Sequence, residues 1–170
     1  MNEEKSIPAS VEEELDYSGR PFGYQDMGNQ TAMVCENDPV IREKITDALK
    51  SIDYNVIESL KVKEALKNLN FHTFNLVVVD ENFDAGPDGV NYILKYLESL
   101  SMSIRRKIFV VLVSANFATM DYMYTYNKSV NLIINKEDIG QIGMIIKKET
   151  DENEYFYHVF KKFYHKYVEI

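Results

Sequence analysis

From Thr31 onward the chain alternates two hydrophobic rhythms. TAMVC (31–35), NLVVVD (75–80), IFVVLVS (108–114) and VNLIIN (130–135) are short, nearly unbroken apolar runs, the form of strands covered on both faces. YNVIES (54–59) alternates like a strand. Between these runs the period lengthens. Ile41, Ile45, Ala48, Leu49 and Ile52 recur at helical spacing, as do the apolar residues of VKEALKNL (62–69) and VNYILKYLESL (90–100). Residues 115–128 also read as helix, and helix resumes from 137. Asp38 stands at an N-cap position with Pro39 at the first helical position, a strong start signal. ENFDAGPDG (81–89) is dense in turn residues and reads as a loop.

Five strand–helix pairs, four of them with strands too apolar for a solvated face, predict a parallel sheet with helices on both faces. Right-handed crossovers and five strands favour the flavodoxin-like order 2-1-3-4-5. Ligands of such sheets bind at the carboxyl ends of the strands, beside the topological switch. At those ends stand Glu36-Asn37-Asp38, Asp80, Ser114 and Asn135-Lys136. Carboxylates with a backbone carbonyl suit Mg²⁺, a hard cation that keeps several waters. A carboxylate beside such an ion can attack a phosphoryl group and form an aspartyl phosphate. A lysine would neutralise the phosphoryl charge, and a serine hydroxyl would hydrogen-bond one of its oxygens. Taken alone, Asp80 has a structural cap at the strand end as its alternative reading, and Asp38 reads as the helix cap rather than a metal ligand.

Charge and composition narrow the function classes. Nineteen Lys and Arg against 27 Asp and Glu give a net charge of −8, contrary to the clustered cations of a nucleic-acid binder. Residues 1–30 carry seven acids and two bases, with two prolines and three of the seven glycines. They read as an acidic flexible leader or linker, with an acidic docking segment as the functional alternative. The single cysteine, Cys35, leaves no disulfide framework or cysteine-rich zinc site. No run approaches the 18 apolar residues of a membrane span, and no signal peptide is visible, so a soluble cytoplasmic protein is expected.

Residues 31–148 resemble the receiver domain of bacterial two-component response regulators. The resemblance rests on CENDPVIRE, VVVDEN, VLVSAN and LIINKED, in that order and at receiver-like spacing. It implies phosphorelay signalling, with Asp80 as phosphoacceptor and a histidine kinase as partner. It also places Glu36 and Asn37 at the acidic-pair positions, the Asn82 backbone carbonyl on Mg²⁺, Ser114 as the switch hydroxyl and Lys136 as the phosphoryl-contacting lysine. Four positions depart from the family pattern. Asn37 removes one formal charge and weakens the Mg²⁺ site. Phe83-Asp84 replaces the usual Met-Pro, Ile133 stands where an aromatic is common, and Glu137 follows the lysine in place of proline. The alternative is therefore a pseudo-receiver, an unphosphorylated protein-interaction or dimerisation module.

An enzyme of another doubly wound class, a haloacid-dehalogenase-like phosphatase, would carry a second Asp two residues after the first; Asn82 stands there. No GxGxxG or Walker loop occurs, which disfavours a nucleotide binder, and the receiver resemblance implies a non-enzyme. His72, His158 and His165 show no ligand pairing. IRRK (104–107) reads as a solvated basic loop, with binding of an anionic partner as the alternative. Met120, Met123, Tyr124 and Tyr126 fall on the expected fourth helix, part of the usual receiver partner surface, though core packing explains some of them.

After 148 the chain continues helical to 170, beyond a receiver's expected end. Phe156, Phe160, Phe163 and Tyr167 form one aromatic stripe there. That stripe folds back on the domain, meets a partner or pairs with a second copy as a homodimer. Its charges are too balanced for a membrane anchor.

Overall fold

The computed structural model describes residues 30–167, leaving the side chains of Lys161, Tyr164, His165 and Tyr167 undescribed. The acidic leader falls, but for Gln30, outside the described residues. Strands β1 (Gln30–Cys35), β2 (Tyr54–Glu58), β3 (Leu76–Asp80), β4 (Phe109–Ser114) and β5 (Leu132–Asn135) form one parallel sheet in the order 2-1-3-4-5. Helices α1 (Pro39–Ser51), α2 (Val62–Phe71), α3 (Tyr92–Ser99), α4 (Tyr122–Asn127) and α5 (Ile142–Tyr167) fill the crossovers and close the chain.

The apolar runs become strands because the sheet is covered on both sides. Every residue of β3 and β4 is buried. Side chains alternate across the pleat. Met33, Cys35, Val77, Val79, Val110, Leu112 and Ile133 pack with α2, α3 and Phe83. Ala32, Val34, Leu76, Val78, Val111, Val113 and Ile134 pack on the other face against Ile45 and Leu49 of α1 and Ile142 and Ile146 of α5. The direction of travel through the sheet reverses between β1 and β3, so a crevice opens beyond their carboxyl ends.

Caps fix the helix starts at that edge. The Asp38 carboxylate accepts from the backbone N–H groups of Val40 (2.8 Å) and Ile41 (3.2 Å), confirming the cap. Asp38→Ala is expected to cost about 1 kcal/mol, read as a lower urea midpoint with an unchanged slope. The start of α2 is capped from a distance. Lys61 makes no side-chain cap, and the Asp84 carboxylate instead accepts from Val62 N at 2.9 Å.

Three segments differ from expectation. Helix α4 spans only 122–127; residues 115–121 form a loop in which Met120 takes a positive φ of 61° and its N–H reaches the Ile133 carbonyl. Residues Lys136–Gln141 form a 3₁₀ turn before α5 begins, because Asn135 caps it through Glu137 N at 2.9 Å. The basic segment is not merely a solvated loop. Met102–Arg105 is a helical turn, and half-buried Arg105 donates to the carbonyls of Ile108 and Ser129 (2.8 Å each) and to Asn131 Oδ1 (3.2 Å).

Candidate functional site

The parallel register brings the strand ends to one level: Cys35 lies opposite Val79, Asp80 opposite Val113, and Ser114 opposite Asn135. Glu36, Asp80 and Lys136, each at the end of a different strand, therefore meet. Glu36 and Asp80 are buried, at 2% and 3% exposure. Lys136 Nζ lies 2.5 Å from Asp80 Oδ2 and 3.5 Å from Glu36 Oε2. The other oxygen of each acid is held by backbone: Asn82 N donates to Asp80 Oδ1 at 2.9 Å, and Asp38 N to Glu36 Oε1 at 3.0 Å. Beyond the Lys136 ion pair, Asp80 Oδ2 and Glu36 Oε2 receive no hydrogen bond among the described residues.

Burial and the shared ion pair act on the titration of Glu36 and Lys136. Burial raises the Glu36 pKa, the Asp38 N–H opposes this, the neighbouring Asp80 charge raises it further and Lys136 draws it back; the net direction is up. For Lys136, burial lowers the pKa, but the Asp80 contact and the Glu36 charge outweigh it and the net direction is up. A raised carboxyl pKa means that the native state binds more protons than the unfolded one. Stability then falls as pH rises from the unfolded value of about 4.3 through the folded value. In buffer with chelator, Glu36→Gln is expected to match the wild type near pH 4 and to be the more stable at pH 7. Urea midpoints at the two pH values check this.

Glu36 Oε2, Asp80 Oδ2 and the Asn82 carbonyl are hard oxygen donors of the kind Mg²⁺ takes. Apart from the Lys136 ammonium, no donor among the described residues reaches these two carboxylate oxygens, so the donor set fits a divalent cation. Asn37 is the weak member. Its amide Nδ2 donates to the Asn82 carbonyl at 3.4 Å, placing an N–H where an acid would bring charge. No group of three or more His, Cys, Asp or Glu side chains arranged for a metal occurs among the described residues.

Ser114 is fully buried, and its hydroxyl donates to Glu81 Oε2 at 2.6 Å. Asn116 Nδ2 donates to the same oxygen at 3.0 Å, and Lys128 Nζ stands 3.9 Å from Glu81 Oε1. The ammonium of Lys128 also lies 5.6 Å from the Phe117 ring, which packs on Tyr124 of α4 at 4.2 Å. Glu81 thus ties the loop after β3 to the loop after β4 and to α4. Sequence reasoning passed over Glu81 as part of a polar loop. It also missed Asn91, whose amide donates to the Asp80 and Glu81 carbonyls (2.9 and 3.1 Å) while its oxygen caps α3. An Asn just before an apolar helical run was the available signal for Asn91.

A cleft of about 620 Å³ opens beside the acids, with Asn37 and Asn82 on its wall next to Arg42 and Lys61. Arg42 donates to the Glu36 carbonyl at 3.0 Å and so fixes the acidic turn. The expected partner-surface residues are exposed: Met123 and Tyr126 on α4, and Phe156, Phe160 and Phe163 on α5. Tyr167 ends α5, but its side chain lies outside the described residues.

No family model matches the sequence, and no curated protein matches it either. Solved structures do. A response regulator receiver domain protein (CheY-like) from Methanospirillum hungatei matches with a TM-score of 0.57 at 20% identity, over 75% of this chain and 98% of that one. A response regulator from Thermotoga maritima matches with a TM-score of 0.55 at 22% identity, over 72% and 98%. A receiver domain (CheY-like) from Methylobacillus flagellatus matches with a TM-score of 0.53 at 19% identity, over 72% and 99%. The chain has the receiver-domain fold.

Proposed function

We propose that this protein is a non-enzymatic signalling domain of the response-regulator type, with Asp80 as its phosphoacceptor. The observation that carries this reading is the buried Glu36–Asp80–Lys136 constellation at the topological switch of a receiver fold. An Asp80 oxygen attacks the phosphorus of a phosphohistidine or of a small acyl phosphate. The new O–P bond forms as the bond to imidazole or to the acyl oxygen breaks, and the leaving group departs with its electron pair. Lys136 balances charge on the transferred group, and Glu36, Asp80 and the Asn82 carbonyl would hold Mg²⁺. When bound, that ion supplies charge neutralisation to the phosphoryl oxygens. A phosphoryl donor would approach from the cleft walled by Asn37 and Asn82, the neighbours of Glu36 and Glu81 in the chain.

Phosphorylation adds about −1.5 to −2 charges next to Glu81, taking the value for hydroxyl phosphates as a guide. Competition for Ser114 between the new oxygens and Glu81 would loosen the Glu81–Lys128 link and shift α4, with Met123 and Tyr126 on its surface. Incubation with acetyl phosphate and Mg²⁺ tests the reading. Intact mass is expected to show one phosphoryl adduct on wild type and none on Asp80→Asn. A wild type that stays unlabelled while an ordinary receiver is labelled would favour the second reading, a pseudo-receiver. The Asn37 amide on the Asn82 carbonyl is the observation on that side.

A further inference from the structure

Helix α5 outlasts the domain that it covers. Ile142 and Ile146 are buried against the sheet, and Thr150, Asn153 and Tyr157 are half-buried on the same side. Phe160 turns that way too, with the Arg106 guanidinium 5.1 Å from its ring centre. The outward side of the same turns is apolar as well. Tyr155 is 87% exposed, Phe156 77%, Val159 62% and Phe163 56%. At 3.6 residues per turn these four, with Glu152 and Lys166, fall in an arc of roughly 100°. Water contact over such a stripe is unfavourable, and exposed aromatics of this density mark an interface.

The charges on the helix say what covers it. All its acids after 148 (Glu149, Asp151, Glu152, Glu154) precede the stripe's centre, and all its lysines there (Lys161, Lys162, Lys166) follow it. A parallel pair would set acid on acid and lysine on lysine. An antiparallel pair, related by a two-fold axis perpendicular to the helices, sets opposite charges together in a self-complementary interface.

We infer that α5 pairs antiparallel with α5 of a second copy, with Val159 on the two-fold axis. In that register Tyr155 meets Phe163 of the second copy, Glu152 meets its Lys166, and Phe156 meets its Lys162 in a cation–π contact. The paired length from 152 to 166 is roughly 21 Å. On about 200 Å² per ring, the exposed parts of Tyr155, Phe156 and Phe163 offer roughly 900 Å² across the pair. Val159 and the lysine stems bring this to the ~1,000 Å² of a specific interface. Within one chain Glu152 sits 3.9 Å from Lys148, but both are well exposed, and so loose a pair leaves Glu152 able to take a second cation. The pairing is independent of chemistry at Asp80, and Asp80→Asn should leave it intact.

Sedimentation equilibrium of the full chain tests this. Wild type is expected to be a dimer at micromolar concentration, and Val159→Asp, which places two carboxylates at the axis, a folded monomer. Glu152→Lys and Lys166→Glu are each expected to weaken the dimer about tenfold at low salt. Combined, they are expected to restore it, because only the antiparallel register brings these two positions together. A monomeric wild type, whether its stripe is covered by residues 1–29 or by another protein, would overturn the inference. So would a dimer that survives Val159→Asp, or charge reversals that fail to compensate.

Discussion

Lys136→Met is expected to lower folding stability by about 3 kcal/mol, the low end of the range for breaking a buried ion pair. The low end applies because the Lys136 side chain is 27% exposed while its partners are almost fully buried. Without the ammonium, two carboxylates at 2% and 3% exposure face each other with no cation. In urea the midpoint should fall by roughly 1–2 M at unchanged slope. Adding Asp80→Asn removes one of the orphaned charges and should recover most of the loss. Equal instability of the single and double variants would mean that packing of the lysine stem, and not charge, is what Lys136 supplies. Mg²⁺ is expected to stabilise Lys136→Met more than wild type, since the vacated space and the two acids suit a divalent cation.

Phe83→Ala should be at least as damaging, at about 3–5 kcal/mol. Phe83 is fully buried and lies in a loop otherwise made of polar and small residues. Its ring belongs to the core cluster of Met33, Val77, Ile93 and Leu97, beneath the turn that carries Glu81 and Asn82. Truncation leaves a cavity and also releases the turn whose N–H groups reach Asp80: Asn82 N donates to Asp80 Oδ1, and Phe83 N to the Asp80 carbonyl at 3.1 Å. Thermal melting reads the stability loss. Hydrogen exchange is expected to localise added mobility to 81–85, and Phe83→Leu to recover a large part of the stability. Phe83-Asp84 stands where the receiver pattern has Met-Pro, and in this chain the Phe83 ring anchors the loop in the core.

The sheet was legible from the sequence because its strands are buried on both faces, so β3 and β4 appear as apolar runs that no helix period fits. The order 2-1-3-4-5 followed from alternation and handedness, and the structure has it. Segments whose conformation is set by single side chains were not legible. Residues 115–121 looked helical, yet Asn116 N and Asn116 Nδ2 are bound by Ser114 and Glu81, and Met120 adopts the left-handed region. Arg105 looked like a solvated cation, and only the fold shows three oxygens converging on it.

The candidate site divides in the same way. Glu36, Asp80 and Lys136 could be read from strand ends, because a parallel sheet must bring those ends together. Ser114 was placed correctly at the end of β4, but its partner is Glu81, and nothing in a pattern of apolar runs assigns a loop glutamate to a serine 33 residues away. Asn37 was expected to weaken a cation site by removing a charge. The structure adds that its amide also engages the Asn82 carbonyl, a candidate ligand.

The central claim is that Asp80 is the residue that accepts a phosphoryl group. Borohydride reduction of the acetyl phosphate-treated protein, followed by peptide mapping, tests it most directly, since the reagent converts an acyl phosphate to the corresponding alcohol at the modified side chain. The account predicts reduction at Asp80 alone, in the peptide that contains VVVDEN. Reduction at Glu36 or Glu81, or no reduced residue under conditions that label an ordinary receiver, would contradict it.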